Sequence, residues 1–260
     1  MAADPHELPI DLPTEKVGEF ETGPVEKLGL KHETEEELFS NLLESAEWTE
    51  EERQRITSAY ELVKQAHSEN EYRGQPYVYH LLRVANRIVR YMGVVDADVV
   101  VAALSHDVVE DHAEYVVGQG VSDPKEAQAL ALEKLANAHN PRTAQIIKAV
   151  TNEPELPGPE LTEEKKHAKY VAKVEEATST FEGWLVKFSD WCENGLGIIH
   201  SELPSDSGKL EHFMHKYGDE VFDIFTERFS QYKDQLPQAG ANYVATQLTL
   251  GYQRFRLRMR

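Results

Sequence analysis

Apolar residues recur at helical spacing through most of the chain. Thr49 with Glu52 three residues later makes a capping box, and Ile56, Ala59, Tyr60, Val63 and Ala66 follow at intervals of three and four. That pattern predicts an amphipathic helix ending near Ser68–Asn70. Arg73-Gly74-Gln75-Pro76-Tyr77 reads as a loop that puts Pro76 at the first position of a second helix, YVYHLLRVANRIVRYM, closed by Gly93. Asp96 or Asp98 can cap a third helix, DVVVAALSHDVVEDH. Ser122-Asp123-Pro124 caps an alanine-rich fourth that ends around Ala138-His139-Asn140, and RTAQIIKAV leads to Thr151. Pro154, Pro157, Gly158 and Pro159 make residues 152–161 a surface loop. A charged helix follows from Thr162, then the apolar segment WLVKFSDWCENGLGI, then helical periodicity from Lys209 to Tyr232. No stretch alternates with period two long enough to be a strand, so the expected fold class is all-α.

The ends of the chain differ from its middle. Residues 1–40 hold 11 acidic residues, 3 basic ones and 4 prolines without a sustained apolar period, which predicts an extended or partly disordered acidic leader. Leu28, Leu30, Leu38 and Phe39 are anchors by which it could wrap the domain. Residues 41–232 then form the main domain and 233–260 a helical C-terminal extension. That extension ends in GYQRFRLRMR, where Arg254, Arg256, Arg258 and Arg260 have no acidic neighbour. Across the chain, 46 acidic residues outweigh 27 basic ones, for a net charge of −19. A field of that sign repels nucleic acid and anionic membranes, so the arginine-rich end suits an intramolecular or subunit contact, including one in a homo-oligomer. The first twenty residues have no basic region followed by an apolar one, as a secretory signal would. No stretch approaches the ~18 apolar residues of a membrane span, and a cytoplasmic location is the expectation. Cys192 is the single cysteine. It excludes an intramolecular disulfide and a cysteine-based zinc site, and it reads as a packed small residue.

The segment that changes the picture is VVVAALSHDVVEDH, residues 99–112. Val99 to Leu104 are all apolar, so a helix here has no solvent face. Yet His106, Asp107, Glu110 and Asp111 follow at once, within an arc of about 140° on a helix turning roughly 100° per residue. Carboxylates and an imidazole converging on a buried helix are costly unless a cation neutralises them. A helix end emerging into water and a salt-bridged network are the competing readings; acidic residues at a helix C-terminus oppose its dipole, which weighs against the first. Two other helices offer partners. His80 lies against the stripe Leu81, Leu82, Val84, Ala85 and Ile88, where a hydrogen-bonded core histidine is the plain alternative. Asp190 follows Leu185, Val186 and Phe188, with Lys187 and Asn194 on its side of the helix. His212 and His215, at i and i+3, are read as a solvated helical face.

Together, GQPYVYHLLRVA, AALSHDVVED and VKFSDWCEN resemble the HD-domain metal-dependent phosphohydrolases, and within them the alarmone hydrolases of the RelA/SpoT type, over roughly residues 50–200. The resemblance implies an HD-type helical bundle and a stand-alone hydrolase that removes pyrophosphate from guanosine 3′-diphosphate nucleotides, (p)ppGpp. By motif, His80, His106, Asp107 and Asp190 match the metal ligands, and Glu110 and Asp111 the catalytic acidic pair. Arg73 matches the position that contacts the base, while Lys187 and Asn194 match residues lining the phosphate and ribose pocket. Two imidazoles and two carboxylates suit one divalent ion such as Mn²⁺, which acidifies water and withdraws charge from a phosphoryl oxygen. The departures are His112 where the family has a small residue, Asn152 where it has a basic one, and Phe188-Ser189 before the last aspartate. They bear on the substrate, so another nucleotide phosphate such as the NADPH 2′-phosphate is the second enzymatic reading. A nucleotide-binding module without turnover is the third, and the intact acidic pair speaks against it.

Overall fold

The computed structural model describes residues 30, 32–118, 120–154, 161–196 and 214–255. Among these, α1 spans Glu35–Glu44 and α2 Glu50–Ala66; a two-strand hairpin, β1 (Glu71–Tyr72) and β2 (Gln75–Pro76), leads into α3 (Val78–Asn86). Then come α4 (Ala97–Ser105), α5 (Val108–Asp111), α6 (Ala113–Val117), α7 (Pro124–Ala138), α8 (Pro141–Val150), α9 (Glu163–Ala177), α10 (Phe181–Trp191), α11 (Asp219–Tyr232) and α12 (Gln238–Phe255). The fold is all-α, as expected. No helix among the described residues is long and apolar enough to cross a membrane.

The side chains set the helix starts. Thr49 and Glu52 form the reciprocal box that opens α2, Asp96 accepts from the Asp98 and Val99 amides at the head of α4, and Asp123 and Thr162 cap α7 and α9. Helix α4 is the axis of the bundle. It packs against α2, α3, α8 and α10, and Val99 to Leu104 are no more than 1% exposed. A helix apolar on every face can only be placed there.

Three expectations need correction. Pro76 does not open the second helix: it pairs with Glu71 across the hairpin, and α3 starts at Val78. Arg73 and Gly74 turn the chain with φ of 54° and 74°, a conformation glycine adopts at little cost. The third helix does not run unbroken to His112, because His106 and Asp107 form a turn between α4 and α5. The His106 Nδ1 lies 2.8 Å from the Ala103 carbonyl, the acceptor that the Asp107 amide would use in a continuous helix. Finally, the leader's boundary at residue 40 falls inside α1. Thr34 and Glu37 form a second capping box, Leu30, Leu38 and Leu42 are buried, and Phe39 stacks on Tyr60 at 4.0 Å. Leu28, Arg256, Arg258, Arg260, His212 and the Arg254 side chain lie outside the described residues, as do residues 155–160 of the surface loop.

Among the described residues of the C-terminal extension, α12 is helical and shares the core: Val244, Leu248 and Phe255 join the same apolar cluster as Leu30. Cys192 is buried, in keeping with a packed residue.

Candidate active site

The His–Asp turn, α3 and α10 converge. His106 Nε2 lies 3.1 Å from Asp107 Oδ2 and 3.7 Å from Asp190 Oδ1. His80 Nε2 lies 3.3 Å from Asp190 Oδ1 and 3.7 Å from Asp107 Oδ2. Ligand atoms of His80, His106 and Asp190 all fall within 4.8 Å of one another, with Asp107 alongside. Both imidazoles are 1% exposed.

This set fits a divalent metal. With its Nδ1 turned to the Ala103 carbonyl, His106 directs Nε2 at the carboxylates, the orientation that a backbone acceptor imposes on a metal-binding histidine. That Nε2 is buried and makes no hydrogen bond within the described residues. The charges of the cluster act on one another. Burial would depress the His106 imidazole, but Asp107 and Asp190 outweigh it and hold the group well above its ordinary pKa. Burial would raise both carboxyls, but the His106 and His80 imidazoles pull Asp107 and Asp190 below the ordinary range. The pocket thus stabilises two carboxylate anions against positive charge.

Around the cluster, polar groups fix the carboxylates. Tyr77 donates to Asp107 Oδ2 at 2.7 Å. Asn194 donates to Asp190 Oδ1 at 2.6 Å, Tyr72 donates to Asn194 Oδ1 at 2.8 Å, and Arg73 reaches the Asn194 carbonyl at 3.2 Å. Arg73 also lies over the Tyr72 ring, 5.0 Å from its centre. The carboxylate of Glu110 accepts from the Asn152 amide at 3.0 Å and from its side chain at 2.8 and 2.9 Å. Asp111 is more open to solvent; partial desolvation and the Asp107 and Glu110 charges push its pKa up to about 6.

All nine residues singled out in the sequence therefore lie in or near one region, with unequal contacts. Lys187 is only 7% exposed and adds positive charge near Lys216, without an ion pair among the described residues. Three contributors were not anticipated. Tyr77 stood inside the Gly-x-Pro-Tyr motif, so its spacing was in view but its hydroxyl's target was not. In the sequence Asn152 stands only as a departure from the basic residue of the family it resembles. Lys216, which sits 5.0 Å from the centre of the Tyr170 ring within the influence of Asp190 and Glu110, carries no local signal. His112 does not touch the cluster: its Nε2 lies 2.9 Å from Asn70 Oδ1, and its ring meets the buried His67 edge-on.

Residues 59–179 match the family model of the HD domain. That span contains His80, His106, Asp107, Glu110 and Asp111 and stops short of Asp190, which the fold returns to them. No curated protein sequence matches the chain. Among solved structures, the chain is similar to one described as "A metazoan ortholog of SpoT hydrolyzes ppGpp and plays a role in starvation responses". The TM-score is 0.56 at 16% identity, over 80% of this chain and 98% of that one. Residues 59–179 are thus similar to the HD domain, and the fold is similar to that of this solved structure.

Proposed function

We propose that this protein is a metal-dependent phosphohydrolase that cleaves (p)ppGpp to GDP or GTP and pyrophosphate. The observation that carries the reading is the meeting of two buried imidazoles with a carboxylate, their ligand atoms within 4.8 Å, where His106 Nε2 has no hydrogen-bond partner among the described residues. His80, His106, Asp107 and Asp190 would hold one divalent ion, Mn²⁺ by donor type. When bound, that ion supplies Lewis-acid polarisation of a phosphoryl oxygen and lowers the pKa of water.

The chain's own groups do the rest. Glu110, held by three hydrogen bonds from two nitrogens of Asn152, orients the attacking water toward the 3′-phosphorus, and the Glu110–Asp111 pair takes its proton. The bond from that phosphorus to the ribose 3′-oxygen breaks, pyrophosphate departs, and the ribose oxygen gains a proton. Lys187 and Asn194 line the phosphate and ribose side, and Arg73 faces the base. With net charge −19, the protein needs such local cations to admit a polyanion.

A second reading, hydrolysis of a phosphomonoester such as the NADPH 2′-phosphate, draws support from Asn152. A neutral amide bound to Glu110 replaces a cation, which suits transfer of a less highly charged phosphoryl group to water. Incubating purified protein and Mn²⁺ with ppGpp, GTP, NADPH and nucleotide monophosphates separates the two. Pyrophosphate from ppGpp alone supports the first, inorganic phosphate from NADPH supports the second, and no product from any contradicts both. Replacing Glu110 by Ala should lower turnover about 10²–10⁴-fold while metal stays bound; loss of the metal, followed by calorimetry, would refute the role given to Glu110.

A further inference from the structure

Helix α12 lies outside the span that matches the HD domain, yet it is seated against both helices that carry distant members of the cluster. At Gly240 a Cβ would collide with the carbonyl oxygen of Met92, in the chain that continues α3. At Gly251 a Cβ would stand 2.7 Å from the ring of Trp191, the residue after Asp190. A side chain at either position would push the close-packed helix off its seat. Between these glycines, Tyr243 accepts from Arg87 Nε at 3.1 Å, and its ring stacks on Tyr91 at 5.5 Å. Arg87 stands just past α3 and is buried. Its Nη1 donates to the Ser189 carbonyl at 3.1 Å and its Nη2 to Glu193 at 2.8 Å. Every guanidinium nitrogen is thus engaged, and a planar fork held at each corner keeps one orientation. The Ser189 carbonyl belongs to the rigid peptide plane that leads into Asp190. Asn194, the residue after Glu193, donates to the Asp190 carboxylate. Arg87 therefore acts on Asp190 twice, through the backbone that enters it and through the neighbour of the amide that holds its side chain. Without the Tyr243 hydroxyl the buried Nε–H loses its acceptor, a costly state that the guanidinium relieves by turning away from Ser189.

We infer that Tyr243 is a positioning residue for Asp190: acting through Arg87, it lets the C-terminal helix set how tightly the centre binds its metal. The effect on metal rests on the reading of Asp190 as a ligand, whereas the hold on the segment around Asp190 does not.

The test uses the full chain, Tyr243→Phe, and Val244→Ala, which trims the core from the same helix and leaves Tyr243 in place; circular dichroism checks that each is folded. Mn²⁺ alone is titrated calorimetrically into all three. Tyr243→Phe should bind roughly tenfold more weakly, the lower end for contacts that orient a metal ligand, while Val244→Ala binds within about twofold of the unaltered chain. Unchanged affinity in Tyr243→Phe would overturn the inference. Equal weakening in both variants would also overturn it, since α12 would then act only through overall stability. Amide hydrogen exchange without metal gives the second measurement. In Tyr243→Phe the amides of residues 189–194 should exchange faster while those of α2 keep their rate, as local opening requires. An equal rise in both segments, or none in 189–194, would overturn the inference. If the unaltered chain binds no Mn²⁺, the metal reading fails, and the exchange result alone decides whether Tyr243 holds the Asp190 segment.

Discussion

The position of one hydroxyl shows how the cluster is supported. Asp107 has three neighbours that compete for its charge, the His106 and His80 imidazoles at 3.1 and 3.7 Å and the Tyr77 phenol at 2.7 Å. The Tyr77 ring stacks on the buried His67 at 4.6 Å, so its hydroxyl has little freedom to swing away. Burial, with Asp107 next to it, keeps that phenol protonated and raises its pKa, and it therefore acts as a permanent donor to the carboxylate. Such outer contacts orient ligands and commonly contribute about 10–100-fold to metal affinity. Tyr77→Phe should weaken Mn²⁺ binding by that factor and leave the fold intact, both readable by calorimetry and circular dichroism. An unchanged affinity would mean that Asp107 is positioned by its backbone alone.

Two elements, α3 and α10, have to hold His80 and Asp190 at contact distance, and a buried ion pair ties them. After α3, the chain continues as a π-helical turn, Arg87–Tyr91. After α10, a second such turn covers Cys192–Leu196. Arg87 of the first donates to Glu193 of the second at 2.8 Å, with Arg83 at 3.4 Å. π-turns are uncommon and recur at functional sites. Here the second one carries Asn194, which folds back onto Asp190. Removing one partner of a buried pair leaves the other charge uncompensated, at a cost of about 3–5 kcal/mol. Glu193→Ala is expected to lower unfolding free energy by that amount in a denaturant titration, and a loss under 1 kcal/mol would show that the pair does not clamp the helices. Periodicity made α2, α7 and α8 legible because caps and apolar stripes are local. The turn at His106 was not legible, since a continuous apolar run gives no sign that an imidazole will take a helix carbonyl. The hairpin escaped for a similar reason: two residues per strand are too few to alternate.

At the scale of the molecule, a charged network outside the site joins the helices that meet at α4. Asp98 at its head accepts from Arg55 of α2, from Asn140 at 2.7 Å and from Thr143 at 2.9 Å. Arg142 adds a contact at 2.8 Å and reaches Glu182 of α10 at 2.9 Å. Burial opposes ionisation of Asp98, yet the Arg55 and Arg142 hydrogen bonds hold it well below the usual carboxylate range. A carboxyl whose folded pKa is depressed binds its proton more weakly than in the unfolded chain. Its stabilisation is present above the unfolded value near 3.9 and is lost as pH falls through the folded value. Asp98→Asn should therefore destabilise the protein by roughly 2 kcal/mol at pH 7, and the gap to the unaltered protein should close below about pH 4. A gap that persisted or widened in acid would contradict the sign. The sequence disclosed the charges of this network but not their meeting, because 43 residues separate Arg55 from Asp98. The same holds for the candidate centre, where Asp190 lies far along the chain from His80 and only the motif resemblance paired them. Lys216 had neither a motif nor a local pattern, and only the tertiary fold brings it near.

Whether α3, α10 and the turn between α4 and α5 jointly grip one metal ion is best measured by titrating Mn²⁺ into the purified chain and into Asp190→Ala, with the fold of each checked. One ion per chain is expected, bound at least about tenfold more weakly once Asp190 is removed. Equal binding by both proteins, or no binding by the unaltered one, would contradict it.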